Sequence, residues 1–221
     1  MTLAAGNPWT SSVHQNTLIV TLAQMYRILS WAPLQGGFVE GRTILNHQVN
    51  IHDYLTLEPE PYLNNLAQQL GVEFPVVGLM TGVRMERLVQ KTVAHGDLMI
   101  ECFATVGLSN ALAVGDPASY EEQLGTINII VAVNQALAPV AMIEAVQIVT
   151  EAKVRALHIA RVKSTVSDVL ATGTGTDCVA IACPTTGAGC CYCGKHTKVG
   201  ELIGQVVLNA IGEGIQKARP T

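Results

Sequence analysis

The stretch "TGTGTDCVAIACPTTGAGCCYCGKHTKVGELIGQVVLNA", Thr172 to Ala210, holds a strand pattern, a glycine- and cysteine-rich loop and the clearest helix of the chain. The apolar segment "DCVAIAC" is typical of a strand. After the loop, apolar residues recur at the spacing of one buried helical face. They are Val199, Leu202, Ile203, Val206, Val207 and Ala210. A strand joined by a loop to a long amphipathic helix predicts a domain that contains both kinds of element.

Outward from this stretch, further strand and helix patterns follow one another without a repeat or a linker. Apolar, β-branched segments predict strands over 17–23, 26–32 and 126–134, and on both sides of a turn at His95-Gly96-Asp97. Helices are predicted over 58–71 and from Pro139 to about Arg161, and a loop over 32–42. Many of the connections between predicted strands are too short to contain a crossover helix. We therefore expect one α+β domain over residues 1–221, with a largely antiparallel or mixed sheet and a long C-terminal helix.

Composition narrows the classes of function. Only 14% of the 221 residues are charged and 49% are hydrophobic, with a net charge of -4. No cluster of Lys and Arg suits a phosphate backbone, so we expect no nucleic-acid partner. The uncharged run between Glu122 and Glu144 contains Asn128, Asn134, Gln135 and Pro139, which favours a buried strand and a helix start over a membrane span.

No basic, apolar leader opens the chain, so we expect a cytoplasmic protein. In that compartment the six cysteines are expected to be reduced thiols. The oligomeric state is left open between a monomer and a homo-oligomer.

The opening stretch resembles three different sites, and phosphate binding is the first. Gly189 to Lys195 has the G-x-x-x-x-G-K frame of a phosphate loop between a strand and a helix. However, His196 stands where a hydroxyl should bind magnesium, and the loop after Cys183 is too long. The Thr172–Gly175 run precedes a strand, so it is not a dinucleotide fingerprint.

A metal site is the second alternative. Cys183, Cys190, Cys191, Cys193 and His196 are enough soft ligands for zinc. They lie in one run, without the two separated ligand pairs of a structural zinc site. We therefore expect no metal ion, and small residues filling a tight loop instead.

A reacting centre is the third alternative. The residues His196 and Thr197 begin the last helix, where free N–H groups favour an anion or a developing oxyanion. On this interpretation His196, Glu201 and Asp177 carry out acid–base catalysis, with Ser30 as a candidate nucleophile. A helix cap with a surface ion pair between Lys198 and Glu201 explains the same residues without catalysis.

Five motifs in one order add a resemblance to a known family. They are "ILSWAPLQGG…ILNHQV", "TVGLSNALAVGDP", "GTINIIV", "TGTGTD" and "GKHTKVGELIG". Together they resemble the adenosylcobinamide amidohydrolase family, over a range from about Arg27 to Ile211. The cysteine-rich segment departs from the family's pattern and raises the prospect of an added metal or redox role.

The resemblance implies hydrolysis of the amide that joins aminopropanol to adenosylcobinamide, giving adenosylcobyric acid in corrinoid salvage. No D-x-H-x-x-G segment for cobalt ligation is present, so the corrinoid is expected to be the substrate and no cofactor is expected. The rival interpretation is a module that binds a corrinoid or a metal without turnover. The residues expected to bind substrate are Asn46, His47, Ser109, Asn110, Thr174, Thr176, Lys195, Thr197 and Lys198.

Overall fold

Three helices and ten strands lie in the parts of the chain that the computed structural model describes, residues 7–50, 56–118 and 125–219. The strands are β1 (Trp9–His14), β2 (Thr17–Ser30), β3 (Gly37–Gln48), β4 (Val76–Thr81), β5 (Val89–His95), β6 (Leu98–Val106), β7 (Ala111–Leu112), β8 (Ile127–Val133), β9 (Gly173–Thr174) and β10 (Cys178–Pro184). The helices are α1 (Pro59–Gln69), α2 (Pro139–Ile159) and α3 (Lys198–Ala218). A short 3₁₀ turn spans Met85–Arg87.

One mixed sheet has the order β4-β3-β2-β10-β8-β6-β5, and β1 pairs with β2. The pairs β3–β4 and β8–β10 are parallel, and the other pairs of this sheet are antiparallel. Strands β7 and β9 form a separate small pair. The expected α+β domain with a mixed sheet and a long C-terminal helix is confirmed.

The sheet folds over, so that strands far apart in its order contact each other. The amide of Asn46 on β3 donates to Thr105 on β6 at 3.1 Å, and Asn128 on β8 donates to Asn46 at 2.9 Å. Apolar side chains fill the concave side, among them Tyr26, Ile44 and Phe103. The result is an inner core between two arms of one sheet, the first formed by β4, β3 and β2 and the second by β10, β8, β6 and β5.

The helices cover the outer faces of the two arms. Helix α1 packs Leu63 and Ala67 against Leu45 and Val76 of the first arm. Helices α2 and α3 cover the second arm, and strand residues alternate between them and the inner core. In β10, for example, Val179 faces the helices and Ala180 the inner core.

Two sequence predictions need correction in the first arm. Residues 17–30 form one strand and not two, with an irregularity between Thr21 and Tyr26 where its pairing with β3 shifts. The predicted loop over 32–42 is wrong in its second half, because β3 begins at Gly37. The glycines that suggested a loop lie in a tight turn before β3. Gly37 has a φ of +95°, and a Cβ on Gly36 would lie 2.8 Å from the Ala32 carbonyl oxygen.

The other predicted elements are present. Proline opens α1 and α2 at Pro59 and Pro139. Thr197 caps α3, since its hydroxyl accepts from the Gly200 amide at 3.0 Å. Among the helices of the described residues, none combines the length and the apolar run that crossing a bilayer requires.

Candidate active site

A cavity of about 200 Å³ lies at the edge of the sheet where β2 and β4 end and β8 and β10 begin. We call it the Asp177 cavity. Its lining consists of an apolar wall and a polar wall. The apolar lining comes from Trp31, Pro33, Val49, Pro59 and Met80, and the polar lining from Thr81, Gly82, Gly125, Thr126, Thr176, Asp177 and Cys178.

The Asp177 carboxylate binds three other residues at this end of the molecule. One oxygen pairs with the Lys153 ammonium of α2. The other accepts from the Thr174 hydroxyl at 2.5 Å, the Thr174 amide at 3.0 Å and the Ile127 amide at 3.2 Å. Since both oxygens are engaged, Asp177 suits a positioning role better than that of a general base.

The glycines of "TGTGTD" make this arrangement sterically possible. A Cβ on Gly173 would lie 2.2 Å from the Asp177 carboxylate and 2.8 Å from the Lys153 nitrogen. A Cβ on Gly175 would lie 2.8 Å from the Asn110 amide nitrogen. The motif is therefore a close-packed turn around an ion pair.

Three hydroxyls line the Asp177 cavity, and they differ in their hydrogen bonds. Thr81 accepts from the Val83 amide at 3.1 Å and the Thr105 hydroxyl at 3.4 Å. Thr176 is exposed and donates to the Gly125 carbonyl at 3.2 Å. Thr126 is buried, and its O–H faces two acceptors, the Thr176 carbonyl at 2.7 Å and the Asn128 side-chain oxygen at 3.3 Å.

Behind Thr126 lies a buried polar chain. The Asn128 amide donates to Asn46 at 2.9 Å and to the Met80 carbonyl at 2.7 Å. Asn46 in turn donates to the Thr105 hydroxyl at 3.1 Å. Because buried amides lose free energy when unpaired, these bonds fix the orientation of Asn128 toward Thr126.

The two remaining candidate nucleophiles beside the cavity are a hydrogen-bonded serine and a protonated thiol. The Ser30 hydroxyl donates to the Val179 carbonyl at 2.8 Å and accepts from the Ala32 amide at 3.0 Å, and Ser30 does not line the cavity. Burial raises the pKa of the Cys178 thiol to about 11. At neutral pH this thiol stays protonated and is a weak nucleophile.

Several predicted substrate-binding residues lie around the same cavity. Thr176 lines it, Thr174 binds Asp177, and Asn46 is linked to it through Asn128. Ser109 and Asn110 pack against Gly125, where a Cβ would lie within 2.7 Å of both. His47 faces α1 instead, with its ring nitrogens near Thr17 at 2.8 Å and Tyr62 at 2.9 Å.

The Gly-Lys-His-Thr segment lies at the opposite end of β10. Asp177 precedes the first residue of β10, and the seven strand residues span roughly 23 Å at ~3.3 Å each. The loop 185–193 leaves the other end of the strand and leads to the segment, and its Cys190 exchanges backbone hydrogen bonds with Ala136 and Ala138 beyond the end of β8. His196 is exposed, and its ring centroid lies 6.5 Å from that of Tyr192. The expected convergence of Asp177 with His196 is not seen.

The charged residues around His196 pair with other partners. Lys195 pairs with Glu151 of α2 at 2.5 Å, and Lys198 pairs with Glu201 at 2.5 Å. The Lys198 ammonium lowers the pKa of the Glu201 carboxyl. Thr197 caps its helix, so this segment has the geometry of a helix start with surface ion pairs.

The cysteine-rich loop joins the core beside α2. Cys183 and Cys193 are buried, Cys190 is partly buried and Cys191 is exposed. The Cys193 amide donates to the Glu144 carboxylate at 2.5 Å. Within residues 7–50, 56–118 and 125–219, no three His, Cys, Asp or Glu side chains are grouped closely enough to hold a metal ion.

Sequence reasoning missed three residues of this site: Thr126, Lys153 and Trp31. The signal for Thr126 was available, because a Thr and an Asn interrupt the start of an otherwise apolar strand. Lys153 gave a weaker signal, as a cation on the face of α2 that also carries Val149 and Ala156. Nothing in its neighbourhood distinguished Trp31 from a core tryptophan.

Comparison with known sequences identifies relatives over most of the chain. Residues 3–221 match the family described as adenosylcobinamide amidohydrolase. A Methanosarcina mazei protein named adenosylcobinamide amidohydrolase is 30% identical over 192 residues, covering 83% of this chain and 87% of that protein. An uncharacterized Methanocaldococcus jannaschii protein is 30% identical over 228 residues, covering 91% of this chain and 86% of that protein.

Comparison with solved structures finds more distant similarity. A β-aminopeptidase of a Burkholderia species has a TM-score of 0.46 at 12% identity, covering 94% of this chain and 79% of that chain. An L-aminopeptidase D-Ala-esterase/amidase of Ochrobactrum anthropi has a TM-score of 0.41 at 8% identity, covering 96% of this chain and 82% of that chain.

Proposed function

The chain belongs to the adenosylcobinamide amidohydrolase family, and from this premise we propose that it hydrolyses the aminopropanol amide of adenosylcobinamide. The products are adenosylcobyric acid and aminopropanol. The corrinoid is the substrate in this proposal, and the reaction takes place at the Asp177 cavity. Hydrolysis in water is downhill and needs no ATP.

The size and lining of the Asp177 cavity support the proposal that the reaction takes place there. A volume of about 200 Å³ accommodates a short amide arm and excludes a corrin macrocycle. Its polar wall supplies hydroxyl groups for the amide and the aminopropanol hydroxyl, and its apolar wall suits the carbon chain. The arm therefore enters while the ring stays at the mouth.

Thr126 is the nucleophile in our proposal. It is a buried hydroxyl on the cavity wall whose O–H faces two acceptors, and among the described residues no donor occupies its oxygen. Its oxygen bonds to the carbonyl carbon, the C–N bond breaks, and the hydroxyl proton leaves on aminopropanol. Water then hydrolyses the resulting ester, which supplies one carboxylate oxygen and restores Thr126.

Asp177 and Lys153 are positioning residues in this scheme. The carboxylate accepts from the amide of Ile127, the residue after Thr126, and Lys153 neutralises it. The predicted catalytic roles of His196, Glu201 and Ser30 stay predictions. Thr126 is the stronger candidate for the nucleophile, because it lines the cavity, whereas Ser30 lies outside the lining and its oxygen already accepts from the Ala32 amide.

The function is tested by incubating purified protein with adenosylcobinamide in ¹⁸O-labelled water without ATP. The expected product is adenosylcobyric acid with one ¹⁸O in the new carboxylate, identified by mass spectrometry. A parallel sample with a chelator tests for a dependence on metal. A corrinoid that binds tightly and stays unchanged would instead support the non-catalytic binding module, and a strict ATP requirement would revive the phosphate-loop interpretation.

The nucleophile is tested by comparing Thr126→Val with Thr126→Ser. Valine keeps the shape and removes the hydroxyl, so we expect no detectable turnover in a protein that still folds, with a lower Tm because the Thr176 carbonyl and the Asn128 oxygen lose their donor. Serine keeps the hydroxyl and should retain much of the rate. Thr176→Val is the matched comparison at a second hydroxyl of the same cavity, and it should raise KM while turnover is retained. If Thr126→Val turned over normally, the assignment of the nucleophile would be wrong.

A further inference from the structure

We infer that Trp31 is a stacking platform for the planar, conjugated part of the ligand that stays outside the Asp177 cavity. The inference rests on the proposed function, because it takes the ligand to be a corrinoid whose amide arm enters the cavity. It assigns a binding role to a residue that the catalytic scheme does not use.

The indole of Trp31 is exposed in an unusual way for its size. Half of the residue's surface is accessible, although the side chain lines the cavity. An exposed indole at a pocket presents a large flat apolar area that a planar ligand can cover, together with an N–H that can be held by a hydrogen bond. The other tryptophan, Trp9, is 3% exposed and donates to the Glu101 carboxylate inside the fold.

The ring is also held in place. Its Nε1–H donates to the Asp177 backbone carbonyl at 2.7 Å. Asp177 is itself bound to Lys153, Thr174 and Ile127, so the indole is anchored to the most heavily bonded residue of the site. A fixed ring loses little conformational entropy on stacking, which favours binding.

The cavity size determines which part of the ligand meets this ring. Because about 200 Å³ takes only the arm, the bulk of a corrinoid must rest on the rim. Trp31, Pro33 and Pro59 make that rim apolar. Two planar groups of adenosylcobinamide share the chemistry that an indole recognises, the conjugated corrin ring and the adenine of its adenosyl group.

The experiment compares wild type, Trp31→Phe and Trp31→Leu in two measurements. One is the KM and kcat for adenosylcobinamide, and the other is equilibrium binding of cobinamide with and without the adenosyl group, followed by ultrafiltration and corrinoid absorbance. We expect Trp31→Leu to raise KM and Kd about tenfold or more, the range for removing a ring that stacks on a planar base, with kcat little changed. Trp31→Phe keeps a ring and should lose less.

The two forms of cobinamide distinguish the planar groups. An equal loss for both assigns the contact to the corrin ring, and a loss confined to the adenosyl form assigns it to adenine. Tyr192→Leu is the matched control, an exposed aromatic residue in the loop that follows β10. It should leave both constants unchanged.

Two results would overturn the inference. In the first, Trp31→Leu binds cobinamide as tightly as wild type. In the second, Trp31→Phe loses as much as Trp31→Leu, which would assign the effect to the hydrogen bond with Asp177. Failure of wild type to hydrolyse adenosylcobinamide counts against the proposed function alone, because the binding measurement does not depend on turnover.

Discussion

Asp177 connects four parts of the chain through one side chain and one carbonyl group. It binds α2 through Lys153, the start of β8 through Ile127, the β9 turn through Thr174, and the Trp31 indole. Both side chains of the ion pair are about 10% exposed, so each charge depends on the other for solvation.

Removing one partner of this pair should therefore be costly. We expect Lys153→Met to lower the free energy of unfolding by about 3 kcal/mol, because it leaves a buried carboxylate without a counter-charge. In a domain of this size that is a fall in Tm of roughly 6–12 °C. Differential scanning calorimetry measures it.

The double variant Lys153→Met/Asp177→Asn provides the control. Because it removes both charges, it should be more stable than the sum of the two single changes predicts. Additive losses, or a Lys153→Met protein as stable as wild type, would show that the pair contributes little.

A variant of His196 tests whether catalysis takes place at the Asp177 cavity or in the Gly-Lys-His-Thr segment. With the reaction at the Asp177 cavity, we expect His196→Ala to keep a kcat close to that of wild type, since the side chain is exposed and distant. If His196 were instead the general acid or base, the variant would lose about 10²–10⁴ in rate. Steady-state kinetics on adenosylcobinamide decides between them.

At the residue scale, the sequence predicted individual residues of the candidate site more reliably than it predicted which of them lie close together. It selected Asp177, Thr174, Thr176 and Asn110, which lie together around the cavity. It also joined Asp177 to His196, because only 18 residues separate them in the sequence. The intervening strand extends those residues across the molecule, and local spacing contains no information about that.

At the scale of elements, periodic patterns predicted the helices well. Helices α1, α2 and α3 begin with proline or a threonine cap and carry clear apolar faces. The predictions that residues 17–30 divide into two strands and that residues 32–42 form a loop were wrong, and the second error has a physical reason. Glycine in "LQGGF" indicates a turn, yet does not tell where the strand resumes.

The α2–α3 layer depends on glycine at one further position. A Cβ on Gly214 would lie 2.4 Å from the Val106 side chain at the end of β6. We expect Gly214→Val to push α3 off the sheet and reduce the fraction of soluble protein. Gly212→Ala is the matched control, because apart from its chain neighbours and its own helix backbone no atom of the described residues lies within 4 Å of its Cβ position. Equal solubility and equal Tm for the two variants would contradict the close packing.

At the scale of the whole molecule, buried thiols connect stability to alkaline pH. Burial raises the pKa of Cys102 and Cys183, and raises that of Cys178 to about 11 and of Cys193 to about 12. In the unfolded chain these thiols ionise near their ordinary value of 9.0. Above that pH the unfolded state binds fewer protons than the folded state, so the free energy of unfolding falls as pH rises.

We therefore expect the thiol contribution to stability to be fully retained below pH 9 and lost progressively between pH 9 and 12. Urea titrations at pH 7, 8, 9 and 10 measure the trend. Cys193→Ala should make the decline shallower, whereas Cys191→Ala, at an exposed thiol, should leave its slope unchanged. A pH-independent free energy of unfolding up to pH 10 would contradict the account.

The central place of β10 in the sheet has a consequence for synthesis of the chain. Ribosomes release the N-terminal residues first. However, Ser30 of β2 pairs with Ala180 of β10, and β8 gains β10 as its parallel neighbour only when the residues from Cys178 onward have emerged. Until about four fifths of the 221 residues have emerged, one edge of the second half of β2 and one edge of β8 are unpaired. Exposed strand edges invite pairing with other chains. Nascent chains that stall before residue 178 are thus the species most prone to aggregate, and the ones that chaperones must protect.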